Sequence, residues 1–296
     1  MEIFCHSSSL EILSRNSCHK FYHTYSSLLY KTTRNHKAMT DGVAQQKKSF
    51  NHNYSQTENW SYWDSQDPLT QYLLTRRLRI AVDRVMQITQ ADPADWNVLV
   101  LCGGVGGEGS FLANYGFKSI TVSDISETAL QVCNKRDSRL ETRVINAEQL
   151  ELPDESYDLV LVQDGLHHLP RPVLGFTEML RVARKAVIVI EPHLGLVANL
   201  LGMTWENHGG TVNYVFRWNA LLLKQATKSY ILESPCYIQA IRLWNHNLLM
   251  AKVGKILGGK QGAVLAVKSF YFILDWLFWW LGNMMIGIVI KYDPQQ

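Results

Sequence analysis

Five of the seven positions from Gly103 to Gly109 are glycine, and they follow directly on the apolar run Val98-Leu99-Val100-Leu101 and Cys102. A backbone stripped of side chains at the end of a strand admits a ligand closely and leaves N–H groups free to meet it. Such a loop is suited to lie under a nucleotide-like ligand. Asp124 stands twenty residues beyond Gly104, where a carboxylate can accept hydrogen bonds from the paired hydroxyls of a ribose. The spacing Gly104-x-Gly106-x-x-Gly109 also satisfies the dinucleotide fingerprint, so this stretch alone leaves a nicotinamide-dependent oxidoreductase open beside other nucleotide users.

Three imidazoles are candidates for moving a proton. His167 and His168 lie in Gly-Leu-His-His-Leu-Pro, just after the apolar run Leu159–Gln163, and His193 follows Glu191-Pro192. Histidine at a strand end can take a proton from an acceptor near neutral pH, although packing and capping are roles equally open to it. His208 sits in WENHGGTVNYVFRW, expected to be an acceptor-binding loop. The His167-His168 pair has no further His, Cys or acid at ligand spacing, so no metal site is expected.

These groups need a frame. The runs 98–101, 120–123, 159–163 and 187–191 read as buried strands, and stretches such as 126–137 and 173–184 between them read as helices. Alternation of this kind makes crossover units and a parallel sheet, whose ligands bind outside the carboxyl ends of the strands. Ahead of the sheet, Asp67 and Pro68 open a helix on which Leu74, Leu78, Ala81, Val82 and Val85 recur at helical spacing.

With NAEQLELPDESYDLVLVQDGLHHLPRP downstream of the glycine loop and Asp124, the chain closely resembles the class I S-adenosylmethionine-dependent methyltransferases of the small-molecule branch. The resemblance covers roughly residues 69 to 192. It implies an α/β fold, a Rossmann-like three-layer sandwich on a mostly parallel seven-stranded sheet, and S-adenosylmethionine as cofactor. It also implies that Gly103, Gly104 and Gly106 face the amino-acid and ribose part of the cofactor. By the same likeness Asp124 would take the ribose hydroxyls beside Ile125, Ala147 and Glu148 would flank the adenine, and Asp164 and Gly165 would border the methionine end. The chain departs from the pattern at Val100 and Cys102, where the family usually has an acid and a glycine. A noncatalytic relative is therefore a second reading, whereas no Tyr-x-x-x-Lys pair supports the oxidoreductase.

The formal charge of +3 is concentrated in residues 1 to 50, which carry seven Lys/Arg against three acids. The near-neutral remainder argues against nucleic acid as a partner. Five cysteines without metal spacing suit a reduced, cytoplasmic compartment with no disulfide and no structural zinc. Residues 1–55 read as a flexible polar leader, a transit segment, or sequence upstream of a start at Met39, and 56–296 as the methyltransferase domain. Within that domain, 192–243 is the expected acceptor-binding region and 244–285 an apolar helical insert.

The insert contains SFYFILDWLFWWLGNMM, in which Phe270, Phe272, Trp276, Phe278, Trp279 and Trp280 surround the helix. Asp275, Gly282, Asn283 and Gly287 interrupt a stretch that otherwise approaches the length of a membrane span. A lid over an apolar acceptor, with peripheral membrane contact as a further role, is the expectation. The reaction expected is methyl transfer to an O or N atom of a small, largely apolar molecule.

Overall fold

The computed structural model describes residues 38–57, 60–202, 204–208, 211–232, 234–256 and 261–292. The chain divides into a short unit, Met1–Ala44, and the sheet-bearing unit Gln45–Gln296. The strands are β1 (Asn97–Leu101), β2 (Ser119–Asp124), β3 (Glu141–Val144), β4 (Tyr157–Gln163), β5 (Ala183–Pro192), β6 (Trp205–His208), β7 (Thr211–Tyr214), β8 (Cys236–Leu243) and β9 (Met284–Lys291). The helices are α1 (Ala38–Tyr54), α2 (Pro68–Thr89), α3 (Gly107–Tyr115), α4 (Glu127–Arg136), α5 (Pro172–Val182), α6 (Leu196–Leu201), α7 (Ala220–Ile231), α8 (Asn247–Ile256) and α9 (Gln261–Leu277).

Seven strands form one sheet in the order β3-β2-β1-β4-β5-β9-β8. β3 through β5 are parallel, while β9 runs antiparallel to β5 and β8 antiparallel to β9. Alternate residues of each central strand feed opposite cores, as a pleat requires. Val98 and Val100 meet Leu78, Val82, Phe111 and Leu130 on one face; Leu99 and Leu101 meet Phe176, Met179 and Leu223 on the other. This is the expected three-layer sandwich. Asp67 caps α2 through the amide of Thr70 at 2.8 Å, with Pro68 at the first helical position.

Three expectations are corrected. The leader does not extend to residue 55, because the sheet-bearing unit begins at Gln45 and takes in the last turns of α1. Asn51 Oδ1 there accepts from the Ser126 hydroxyl at 2.6 Å and from the Thr128 amide at 3.3 Å, supplying acceptors to the start of α4. The segment 205–214 is a two-stranded antiparallel hairpin rather than a loop. The Gly209-Gly210 pair, a hairpin-turn dipeptide followed by the strand-favouring Thr211 and Val212, was the legible signal for it.

The third correction concerns which part of the insert covers the strand ends: α8 brings Asn247 and Ala251 to the cavity there, whereas the aromatic residues of α9 are not in its lining. α9 buries Ala263, Val267 and Tyr271 against Leu69 and Leu73 of α2 and leaves Trp276, 69% exposed, and Trp279, 52% exposed, at the surface. Asp275, read as an interruption of the apolar run, ion-pairs with Arg76 of α2 and accepts from the Trp244 amide at 2.8 Å. Its charge ties the insert to the domain and aims the aromatic ridge outward. Among the described residues no helix is long and apolar enough to cross a membrane.

Candidate active site

At the carboxyl ends of β1 and β4 lies a cavity of about 570 Å³, within the size range of ligand pockets. Its floor is Cys102, Gly103, Gly104 and Val105, its polar end is Arg77, Glu108, Gln163 and Asp164, and its wall is aromatic: Tyr54, Trp60, Tyr62 and Trp63. Backbone geometry builds the floor. Cys102, Gly104 and Gly106 have φ of 52°, 49° and 81°, a left-handed run that turns the chain sharply from β1 into α3.

The glycines serve different ends. A Cβ on Gly104 would come within 2.7 Å of the Tyr54 hydroxyl, across the cavity side of the loop. On Gly106 it would collide with Cys133 Sγ, and on Gly109 it would lie 2.7 Å from Val122 Cγ2. Gly106 is not among the cavity's lining residues, and its missing Cβ permits α3 and α4 to pack closely. Gly165 is likewise outside the lining, its absent Cβ facing Cys102 and Val162.

Asp124 underlies the loop. Its carboxylate accepts from the Gly104 amide at 2.9 Å and from the Ser126 amide at 2.8 Å. Each oxygen keeps a further lone pair for a hydroxyl donor. Asp124, Ile125, Ala147 and Glu148 do not themselves line the cavity; Asp124 lies buried directly behind the amide of Gly104, which does. The Glu148 carboxylate is held by the backbone amide and guanidinium of Arg171, 2.9 Å to Nη2, which leaves it poorly disposed toward an adenine.

Sequence reasoning missed the polar end apart from Asp164. Arg77 makes a bidentate ion pair with Asp164, 2.8 Å between Nη1 and Oδ1. Burial favours a protonated Asp164, but the neighbouring guanidinium outweighs it and holds the carboxyl below its usual range. Asp164 itself has φ of 53°, a costly conformation for a residue with a side chain. Glu108, in the first turn of α3, is buried and receives Gln163 Nε2 at 3.2 Å. Burial pushes its carboxyl up to about 7. A lone acid inside a glycine-rich apolar stretch was the signal for it.

The histidines do not line the cavity. Glu191 accepts from the amides of Gly165 at 2.9 Å and Leu166 at 2.7 Å, and from His167 Nδ1 at 2.6 Å. Burial works against a charged His167, but the Glu191 carboxylate prevails and raises the ring to about 9. A ring already protonated at neutral pH does not serve as a base. His193 is buried, and desolvation followed by the charge of Arg242 lowers it to about 4. His168 stacks edge-on against Phe50 and lies 3.8 Å from Glu206, a carboxylate brought from β6 that sequence spacing did not reveal. The side chain of His208 falls outside the described residues.

The unsatisfied atoms of the cavity match the polar groups of S-adenosylmethionine. Arg77 Nε and Gln163 Oε1 are buried without a partner among the described residues, a donor and an acceptor at one end of the cavity. A zwitterionic amino-acid group supplies the complement of both, and the glycine floor with Asp124 beneath it suits a ribose. The residues fit the cofactor.

Residues 99–190 match the family model of the methyltransferase domain. Over 109 residues the chain is 32% identical to a demethylmenaquinone methyltransferase of Clavibacter sepedonicus; the match takes in 36% of this chain and 42% of that enzyme, so it spans less than half the relative's length. Its fold is similar to magnesium protoporphyrin IX methyltransferase of Synechocystis PCC 6803, solved with bound SAH, with a TM-score of 0.53 and 11% identity over 85% of this chain and 100% of that one. A Thermotoga maritima SAM-dependent methyltransferase gives 0.51 and 15% over 83% and 99%. The likeness thus rests on residues 99–190, which carry a methyltransferase domain, and on a fold shared with S-adenosylmethionine-dependent methyltransferases.

Glu108 gives this site a pH signature. A raised carboxyl keeps in the folded state a proton that the unfolded chain has released, so its contribution to stability falls as pH climbs from 4.5 through about 7. Glu108→Gln should match wild type below that window and exceed it by up to roughly 3 kcal/mol above it, given about 1.4 kcal/mol per pK unit. Urea melts at pH 4 and pH 8 check this; parallel stabilities at both would refute the buried, elevated carboxyl.

Proposed function

We propose that the chain transfers a methyl group from S-adenosylmethionine to an O or N atom of a small, largely apolar, quinone-like or lipid-like acceptor. The observation that carries this reading is the aromatic wall of Tyr54, Trp60, Tyr62 and Trp63 facing a glycine floor and a compact polar end within one cavity. The matched stretch of a demethylmenaquinone methyltransferase supports an acceptor of this chemistry. When bound, the cofactor supplies an activated methyl group. The chain's own residues orient both partners and exclude water, and orientation of this kind can contribute on the order of 7 to 11 kcal/mol.

Glu108 is the cavity group suited to accept a proton from an acceptor hydroxyl, because a carboxyl near 7 is substantially ionised at neutral pH yet still basic. Incubation with S-adenosylmethionine and a panel of apolar quinols, phenols and amines, followed by mass spectrometry, tests the reading. Gain of one methylene on an apolar acceptor supports it. Cofactor binding without turnover of any acceptor would favour a noncatalytic protein.

The outward aromatic ridge supports peripheral contact with a lipid surface, from which such an acceptor would be drawn. Phe270, Phe272, Trp276, Phe278, Trp279 and Trp280 are exposed together, with the Arg242 guanidinium 5.6 Å over the Trp279 ring. Aromatic side chains beside a cation suit the headgroup boundary of a bilayer. Vesicle flotation should show binding that persists in high salt, because apolar insertion is not screened, and the double variant W276A/W279A should bind at least tenfold more weakly. Equal flotation of both proteins, or recovery of all wild type away from lipid, would refute this contact.

A further inference from the structure

The turn after β4 and the β6–β7 hairpin bring together three groups that lie far apart in sequence. His167 Nε2 is 3.7 Å from Glu206 Oε2, and His168 Nδ1 is 3.8 Å from the same oxygen. All three ligand atoms lie within 4.8 Å of one another, and the imidazole centroids are 4.0 Å apart. Around a tetrahedral ion with bonds of about 2.0–2.2 Å, neighbouring ligand atoms are roughly 3.4 Å apart. Shifts of a few tenths of an ångström would complete that geometry on the two edges to Glu206.

The groups behind these ligands are arranged as metal sites require. Glu191, fully buried and fixed by the amides of Gly165 and Leu166, receives Nδ1–H of His167 at 2.6 Å. That contact keeps the proton on Nδ1, so an arriving cation displaces the Nε2 proton and meets the lone pair it leaves, and a carboxylate behind a ligating imidazole is the usual support of such a ligand. Two imidazoles and one carboxylate select zinc-class divalent ions over oxygen-preferring calcium or magnesium and over thiolate-preferring copper(I). His168 and Glu206 are each only partly buried, which gives an ion a path in.

We propose that His167, His168 and Glu206 form a zinc-class divalent cation site with a fourth position for water or another oxygen donor. Bound there, the ion would staple the hairpin of the expected acceptor region to the end of β4. The site stands independently of methyl transfer.

Equilibrium dialysis of the full chain against chelator-buffered zinc, with the metal counted by elemental mass spectrometry, tests this directly. One ion per wild-type chain is expected, with at least a tenfold loss of affinity in His168→Asn and in Glu206→Gln. The histidines of residues 1–37 remain in each variant, so equal uptake by wild type and H168N/E206Q would overturn the assignment. Failure of the folded wild type to take up zinc would overturn it too. Cobalt titration of wild type supplies a readout that needs no variant: strong visible absorption marks a four-coordinate site, and only the weak spectrum of the hydrated ion would contradict one.

Discussion

Glu191→Ala should lose about 4 kcal/mol or more of folding stability, a large share of the roughly 5–15 kcal/mol that holds a typical domain together. The wild-type carboxylate is fully buried and receives three backbone amides, those of Gly165, Leu166 and His167, together with the His167 ring. Truncation leaves these donors without acceptors, at about 1–3 kcal/mol for each buried orphan. It also strands a buried imidazolium, and removing one partner of a buried pair costs about 3–5 kcal/mol. Both penalties fall on the same turn, so they overlap rather than add. Glu191→Gln, which keeps one acceptor oxygen, should recover about half of the loss. Chemical denaturation at pH 7 reads the difference, and a loss below about 1 kcal/mol in the alanine variant would contradict the role assigned to this carboxylate.

Gly104→Val should abolish cofactor binding, and Gly106→Ala should mainly cost stability. At Gly104 the backbone φ of 49° places any L-residue in the left-handed region, at about 1–2 kcal/mol and more for a β-branched side chain. The new Cβ would also sit 2.7 Å from the Tyr54 hydroxyl and 3.2 Å from Tyr54 Cζ, inside the cavity. At Gly106 the added methyl meets Cys133 Sγ and Leu140 behind the loop, away from the ligand space. The pair of variants thus separates floor from foundation. A folded Gly104→Val protein that binds the cofactor as wild type does would contradict the placement of the loop.

The sheet was legible because its strands are apolar on both faces, and burial of both faces leaves little else for runs such as Val98–Leu101 and Leu159–Val162 to be. Gly103, Gly104 and Asp164 were legible as cavity residues because their position at strand ends follows from that topology. Arg77 was not, since on α2 it is a cation within an apolar stripe and only the packing of α2 shows that it turns toward Asp164. Tyr54 lay in a polar segment without periodicity, and its role depends on where α1 docks. The histidines misled for an electrostatic reason: their place at strand ends was read correctly, but the partner that charges His167, the Glu191 carboxylate, acts through space across neighbouring strands. Glu206 escaped notice because the hairpin carrying it was read as a loop.

Calorimetric titration of the full chain with S-adenosylmethionine, run beside Gly104→Val, tests the central claim most directly. The account predicts a saturable one-to-one complex of wild type, with affinity in the range of about 1 μM to 1 mM common for enzyme ligands, and at least a hundredfold weaker binding by the folded variant. No binding by folded wild type, or equal binding by both proteins, would contradict it.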